Sequence, residues 1–209
     1  MTSIKAILTG DIVNSTLLNE KKLDELLFAI KTELKWQNAK NDFYRGDSFH
    51  ALCEASEGLN LALRLRTIAR QGMWQNEDES IDIRIAIGIG NVEEPVKSMA
   101  TAKGEAFVIS GRELDTLVRT SDRLSIRCAD EKIDPGLQGI AVLADMLTQK
   151  MSAKQSEAIS ELLMGATQTE TAKKLRKSQS TINKLAQSAN WKELERSVEI
   201  YRKLVSLIK

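Results

Sequence analysis

The sequence is poor in the residues that cross-linked, metal-stapled and membrane-spanning scaffolds need. Its 209 residues hold two cysteines, Cys53 and Cys128, in apolar, strand-like contexts far apart in the chain. A disulfide framework is therefore not expected, and each thiol reads as buried and reduced. A single histidine, His50, leaves His-based triads and His-rich metal sites almost without material. Two prolines and 11 glycines exclude collagen-like and low-complexity chains. No apolar run approaches the length of a membrane span. The stretch that follows Met1-Thr2-Ser3-Ile4-Lys5 is cut by Gly10-Asp11, too early for the core of a secretion signal. A cytoplasmic protein with no membrane partner is the expectation.

Charge of one sign is also lacking. Thirty Lys and Arg stand against 29 Asp and Glu, so net charge says nothing about a nucleic-acid partner. Its distribution says more. Residues 151–209 carry 11 basic and 6 acidic side chains, a surplus of five, which leaves 19 basic and 23 acidic in residues 1–150. An acidic body with a basic tail is the asymmetry expected if only the tail meets phosphate.

What is present is ordinary globular material, 42% hydrophobic and 28% charged, enough for one large or two modest domains. The pattern divides it at about residue 150. Residues 4–8 read as a buried strand ending at Thr9-Gly10-Asp11, and apolar residues at 23, 26, 27, 30 and 34 mark a helix within 17–36. Residues 43–45 and 48–53 are two strands about a Gly46-Asp47 turn. A second amphipathic helix covers 56–70, a polar loop covers 75–80, and Ile81, Ile83, Ile85, Ile87 and Ile89 alternate along a strand.

The order is β-α-β-β-α-β, the ferredoxin-like unit. That topology lays the first strand antiparallel beside the third, so the end of one meets the start of the other, and Asp11 and Asp47 stand at those two places. Two carboxylates on one sheet edge suit a hard divalent cation. The structural alternative is that Asp11 caps the following helix or turn and Asp47 is a hairpin residue.

Three segments carry a resemblance: Gly10-Asp11-Ile12-Val13-Asn14-Ser15-Thr16, Phe43-Tyr44-Arg45-Gly46-Asp47-Ser48-Phe49 and Ile83-Arg84-Ile85-Ala86-Ile87-Gly88-Ile89-Gly90. Together they resemble the catalytic palm of class III nucleotide cyclases and, more loosely, of GGDEF-type diguanylate cyclases. With its basic C-terminal part included, the chain resembles the SatD family of small bacterial proteins. The resemblance implies Asp11, Asp47 and the Ile12 backbone carbonyl as ligands of Mg²⁺ or Mn²⁺ bound together with a nucleoside triphosphate. It extends to Gly104-Glu105-Ala106-Phe107-Val108-Ile109-Ser110-Gly111-Arg112, similar to the cyclase segment in which an Asn and an Arg act on the reacting phosphate. Arg112 holds the Arg position, Val108 replaces the Asn, and Phe43 stands where adenine-selective cyclases carry a base-reading Lys. Arg112 is thus the candidate catalytic residue in a set that lacks one donor. The alternative makes it a surface residue of a helix with Phe107, Leu114 and Val118 inward.

A strand over 124–128 closes the first domain. Asp134-Pro135-Gly136 reads as a turn, and 137–151 as a helix that packs on the palm or links the two parts. Beyond it, Ser152 caps a helix ended by Gly165, Thr167 begins a short helix, Arg176-Lys177-Ser178 is a turn, and a further helix runs through Ile182 and Leu185. This is a helix-turn-helix pattern. It resembles the DNA-binding modules of LuxR-type regulators and of sigma-factor region four, with Ala172 where the helices cross and Ile182 in the core. Arg176 stands where glycine is usual, and a non-Gly residue at positive φ carries strain.

Double-stranded DNA is the partner this pattern implies. Gln179, Ser180, Thr181, Asn183, Lys184 and Gln187 would face the groove, while Lys173, Lys174, Arg176 and Lys177 would serve the phosphates. The alternative is a protein-docking bundle whose charges are solvated. In the last helix, 191–209, Leu194, Val198, Tyr201, Val205 and Ile208 alternate at spacings of four and three, the seam of a coiled coil. That seam either pairs two copies in a homodimer or covers the helix-turn-helix core. The expected fold is α+β, a ferredoxin-like palm followed by an all-α domain. Two functions compete: a DNA-binding transcriptional regulator whose palm binds nucleotide with weak or no catalysis, and an active cyclase or nucleotidyltransferase with an accessory helix-turn-helix.

Overall fold

The computed structural model describes residues 2–44, 46–74 and 80–209. The loop expected at 75–80, apart from Ser80, and Arg45 at the end of the expected strand 43–45 lie outside the described residues.

Five strands form one mixed sheet in the order β2-β3-β1-β4-β5. They are β1 (Thr2–Val13), β2 (Lys40–Tyr44), β3 (Ser48–Glu54), β4 (Asp82–Glu93) and β5 (Leu124–Cys128). The central strand β1 pairs antiparallel with β3 and β4, and β5 lies parallel to β4. The first four strands therefore have the expected ferredoxin-like order. β1 does not stop at Gly10-Asp11, as its turn-like dipeptide suggests. It pairs on to Val13, opposite Asp82, so Asp11 sits within the ladder with Arg84 across from it.

One face of the sheet is covered by α1 (Glu20–Trp36), α2 (Gly58–Ala69) and α4 (Asp134–Gln149). The α1 stripe is the expected one: Leu26, Ile30 and Leu34 are buried, and Asn19 caps the helix by accepting from the Lys22 amide. The isoleucines at 81, 83, 85, 87 and 89 are completely buried in this core, each worth roughly 1.5–3 kcal/mol relative to exposure. α4 begins three residues earlier than the expected helix. Asp134-Pro135-Gly136 is its first turn, because proline's missing N–H costs nothing there, and Asp134 accepts from the Cys128 amide and from Arg127.

The other face carries α3 (Glu105–Leu117). Its inward residues are Ala106, Ser110 and Leu117, whereas Val118 is exposed and Phe107 and Leu114 only half-buried, which corrects the expected face. The reason lies on β4. A Cβ at Gly88 would collide with the Ala106 carbonyl oxygen and the Ser110 amide nitrogen, so the helix backbone rests directly on the strand and only small residues fit between them.

After residue 150 come α5 (Ala153–Leu163), α6 (Gln168–Lys174), α7 (Gln179–Ser188) and α8 (Trp191–Val205). Capping boxes at Ser152 with Gln155 and at Thr167 with Glu170 start α5 and α6. Ile159, Leu162 and Leu163 of α5 join the same apolar core as the sheet, together with Leu194, Val198, Tyr201 and Val205 of α8. The Tyr201 hydroxyl donates to the Ala55 carbonyl at 2.6 Å, and Arg70 donates to the carbonyls of Gln149 and Met151 at 2.7 and 2.9 Å. The α8 stripe is consequently covered by its own chain, and the coiled-coil seam that suggested a homodimer is used within one molecule. Among the described residues no helix is long and apolar enough to cross a membrane.

Candidate functional site

Asp11 and Asp47 meet at one end of the sheet. The Ile12 amide donates to the Asp47 carbonyl at 3.1 Å, and Asp11 is paired with Ser48, the neighbour of Asp47. Gly46, at φ 86°, supplies the left-handed turn that brings β3 back beside β2, so that β3 lies between β2 and β1. The Asp47 carboxylate accepts from the hydroxyls of Ser15 at 2.7 Å and Ser48 at 3.3 Å. Asp11 is held by the Arg84 guanidinium at 3.1 Å. Burial raises the Asp11 carboxyl above its ordinary value; Arg84 opposes this, Asp47 adds to it, and the balance stays upward.

This donor set suits a hard cation in kind, because it is oxygen only, and its two carboxylates have Arg84 in contact and Arg123 at longer range. It is also small. Among the described residues no group of three or more His, Cys, Asp or Glu side chains gathers as a metal site, so most of an octahedral shell would have to come from water and a polyphosphate. No local sequence pattern points to Arg84. Its role follows from the β1–β4 register, which periodicity alone does not supply.

A second polar group lies on the α3 face of the sheet. Thr9 donates to Ser110 Oγ at 2.8 Å, and Ser110 Oγ in turn donates to the Phe107 carbonyl at 3.2 Å. With the one Thr9 proton thus used, its 3.0 Å contact to His50 Nδ1 requires the Nδ1–H tautomer. Burial holds this imidazole below its ordinary range against the pull of Asp42, and it stacks on Tyr44 with ring centroids 4.7 Å apart. His50 is a neutral member of a hydrogen-bonded chain.

Arg112 lies elsewhere. It is exposed on α3 and lines, with Val108, Glu113 and Arg127, a cavity of about 450 Å³ whose lining does not include Asp11 or Asp47.

In the C-terminal part, α6 and α7 are joined by four residues, Leu175 to Ser178 in sequence, with Arg176 at φ 52° as its position demands. Ala158, Ala172 and Ile182 form their small core. Ser178 caps α7 by accepting from the Thr181 amide. Gln179, Ser180, Thr181, Asn183, Lys184 and Gln187 are all exposed, as are Lys173, Lys174 and Arg176, with Lys177 half-buried. Two of these cations have acidic partners on α5: Lys174 meets Glu161 at 2.7 Å and Lys177 meets Glu157 at 3.8 Å. The cluster is less positive than its sequence suggests.

Solved structures similar to this chain are nucleotide-cyclase domains. One is the active GGEEF domain of a diguanylate cyclase from Vibrio cholerae, at 15% identity and TM-score 0.45 over 62% of this chain and 85% of that one. A bacterial light-regulated adenylyl cyclase matches at 17% identity and TM-score 0.48, over 61% of this chain and 44% of that one. A dimeric guanylyl cyclase domain from the aquatic fungus Blastocladiella emersonii matches at 18% and 0.45, over 56% and 76%. This chain thus spans less than half the length of the adenylyl cyclase. No family model and no curated protein matches it. At these identities the likeness is one of fold alone, and the SatD and helix-turn-helix resemblances rest on sequence.

Proposed function

We propose that this protein is a DNA-binding regulator whose sheet domain binds a divalent cation with a nucleoside triphosphate and turns it over slowly or not at all. The observation that carries the reading is α7, a short helix set against α6 by a four-residue turn, with seven polar side chains exposed, Ser188 besides the six named above, and none needed by the core. Asn183 and Gln187 suit adenine edges and Lys184 suits guanine or phosphate. In the sheet domain, Asp11, Asp47 and the Ile12 carbonyl would hold Mg²⁺ or Mn²⁺, which when bound would neutralise the triphosphate oxygens. Arg112 is a phosphate-contacting candidate only if the nucleotide reaches along α3, and with Val108 beside it the stabilisation of developing charge is incomplete.

The test uses the full chain and duplex DNA. Affinity is expected to fall steeply with salt, because phosphate contacts release condensed counterions. Replacing Lys173 and Lys174 together by Ala is expected to weaken binding to all sequences, whereas Asn183→Ala is expected to weaken it at preferred sequences by about 1–3 kcal/mol. Equal binding by the double variant and the parent at moderate salt removes the DNA reading. The meeting of Asp11 and Asp47 favours a second reading, cyclisation at that site. Steady production of a cyclic nucleotide or a linear dinucleotide that Asp11→Ala eliminates would reverse the order of the two.

A further inference from the structure

Away from the aspartates, a cavity of about 390 Å³ lies where α1 and α2 of the sheet domain face α5 and α8, a size typical of small-molecule sites. Its distinctive member is Arg64. This side chain is 1% exposed and gives Nη2 to Glu33 at 2.6 Å, yet its Nε and Nη1 are buried with no hydrogen-bond partner. A buried guanidinium with orphaned N–H groups is costly, and native proteins seldom keep one without a reason. The ring of Trp36 lies over it at 5.1 Å and is 60% exposed, so it can turn aside with little loss of core packing. An acceptor atom entering there meets donors that have no bond to give up.

The rest of the lining narrows the ligand. Trp36 and Trp191 offer indole rings, and Glu195 and Glu199 offer carboxylates, which accept but cannot donate when ionised, while Arg202, the other cation of the lining, is engaged by Glu57 at 2.9 Å. A free aromatic acid would meet those carboxylates as like charges. A neutral flat ring that presents a carbonyl oxygen on one edge and ring N–H groups on another satisfies both ends.

We propose that this seam is a binding site for an oxopurine-type heterocycle, its exocyclic oxygen on Arg64, its ring N–H groups toward Glu195 and Glu199, and its plane against Trp36. The site is separate from the Asp11 and Asp47 edge and needs neither cation nor phosphate. Because its walls come from both the sheet domain and the C-terminal helices, occupancy fastens the two to each other.

The full chain is titrated calorimetrically in the presence of a chelator with hypoxanthine, xanthine and guanosine, and with adenine, benzoate and inorganic phosphate for comparison. Saturable binding of the oxo compounds is expected, with adenine at least tenfold weaker because it turns an amino donor toward the guanidinium. Trp36→Leu and the Glu195→Gln, Glu199→Gln double variant are expected to weaken binding at least tenfold at an unchanged melting temperature. Arg64→Lys, which keeps a charge for Glu33, is expected to lose the preference for oxo over amino rings. Asp47→Asn is expected to bind as the parent does. Absence of saturable oxopurine binding, adenine or benzoate binding as tightly, or parental affinity in Trp36→Leu would each overturn the proposal.

Discussion

Asp82 and Asp11 lie at the same end of two paired strands and meet opposite surroundings. Asp82 is buried and saturated. Its Oδ1 accepts from Arg66 Nε and the Ile83 amide, and its Oδ2 from Arg66 Nη2 and Arg70 Nη1. Arg66 continues to Asp145 at 2.7 Å, which also accepts from the Arg123 amide. Burial alone would push the Asp82 carboxyl up, but Arg66, Arg70 and the amide outweigh it and hold the group below its ordinary value. Asp11 has one arginine in contact and Arg123 at longer range, a second carboxylate nearby and partial exposure, and its carboxyl is displaced upward. A closed, charge-balanced cluster is what a fold builds to join β4, α2 and α4. An acidic pair at the surface, one member of which is displaced upward, is what the proposed cation site would draw on.

The sharpest way to break this comparison is to treat the two arginines alike. Arg66→Met leaves Asp82 and Asp145 facing each other in a dry core and is expected to cost about 3–5 kcal/mol in urea unfolding, since removing one partner of a buried network strands the others. Arg84→Met removes a partner from carboxylates that water still reaches, and is expected to cost about 1 kcal/mol or less. Similar losses for the two variants would mean that both clusters are structural.

Much of the arrangement is legible in sequence where one local rule decides. The Ile81 to Ile89 alternation, the α1 spacing, the Gly46-Asp47 hairpin, the caps at Ser152 and Thr167 and the positive φ at Arg176 are each set by a few neighbouring residues. The failures share another cause. Gly10-Asp11 has turn composition, yet β1 continues because β4 pairs with it as far as Asp82. The inward face of α3 is chosen by Gly88, 22 residues before Ser110, and not by the helix's own largest apolar residues. The α8 stripe is periodic whatever covers it, and the partner turned out to be the sheet domain's own helices. The same limit hides Arg84 from the reading of Asp11, and Arg64 from any local pattern, because their meaning comes from residues distant in sequence.

Acid sharpens the comparison further. The folded pKa of Asp82 lies below its ordinary value of 3.8, so its contribution to stability is fully present above that value and is lost as pH falls through the lower, folded one. The difference in urea midpoint between the parent and Asp82→Asn is therefore expected to stay constant from neutrality down to about pH 5 and then to shrink in more acid solution. A difference that instead grows on acidification would show that Asp82 is not the depressed carboxylate its four hydrogen bonds require.

The smallest expected stability effect is at Asp47, and it is the most informative about function. In Asp47→Asn the backbone carbonyl still accepts from the Ile12 amide, the side-chain oxygen still accepts from a serine hydroxyl, and a like charge beside Asp11 is gone. Stability without ligand is expected to change by no more than about 0.5 kcal/mol, the range of substitutions that touch no core feature. The capacity for a cation is what the variant gives up. In a thermal-shift series with nucleoside triphosphates and Mg²⁺ or Mn²⁺, the parent is expected to melt higher only when both are present, and a chelator should abolish the rise, because a ligand of the native state stabilises it by mass action. The variant should show no rise. If Asp47→Asn unfolds the domain and the parent gains nothing from cation and nucleotide together, Asp47 is a hairpin residue, and the acidic pair differs from the Asp82 cluster only in being left wet.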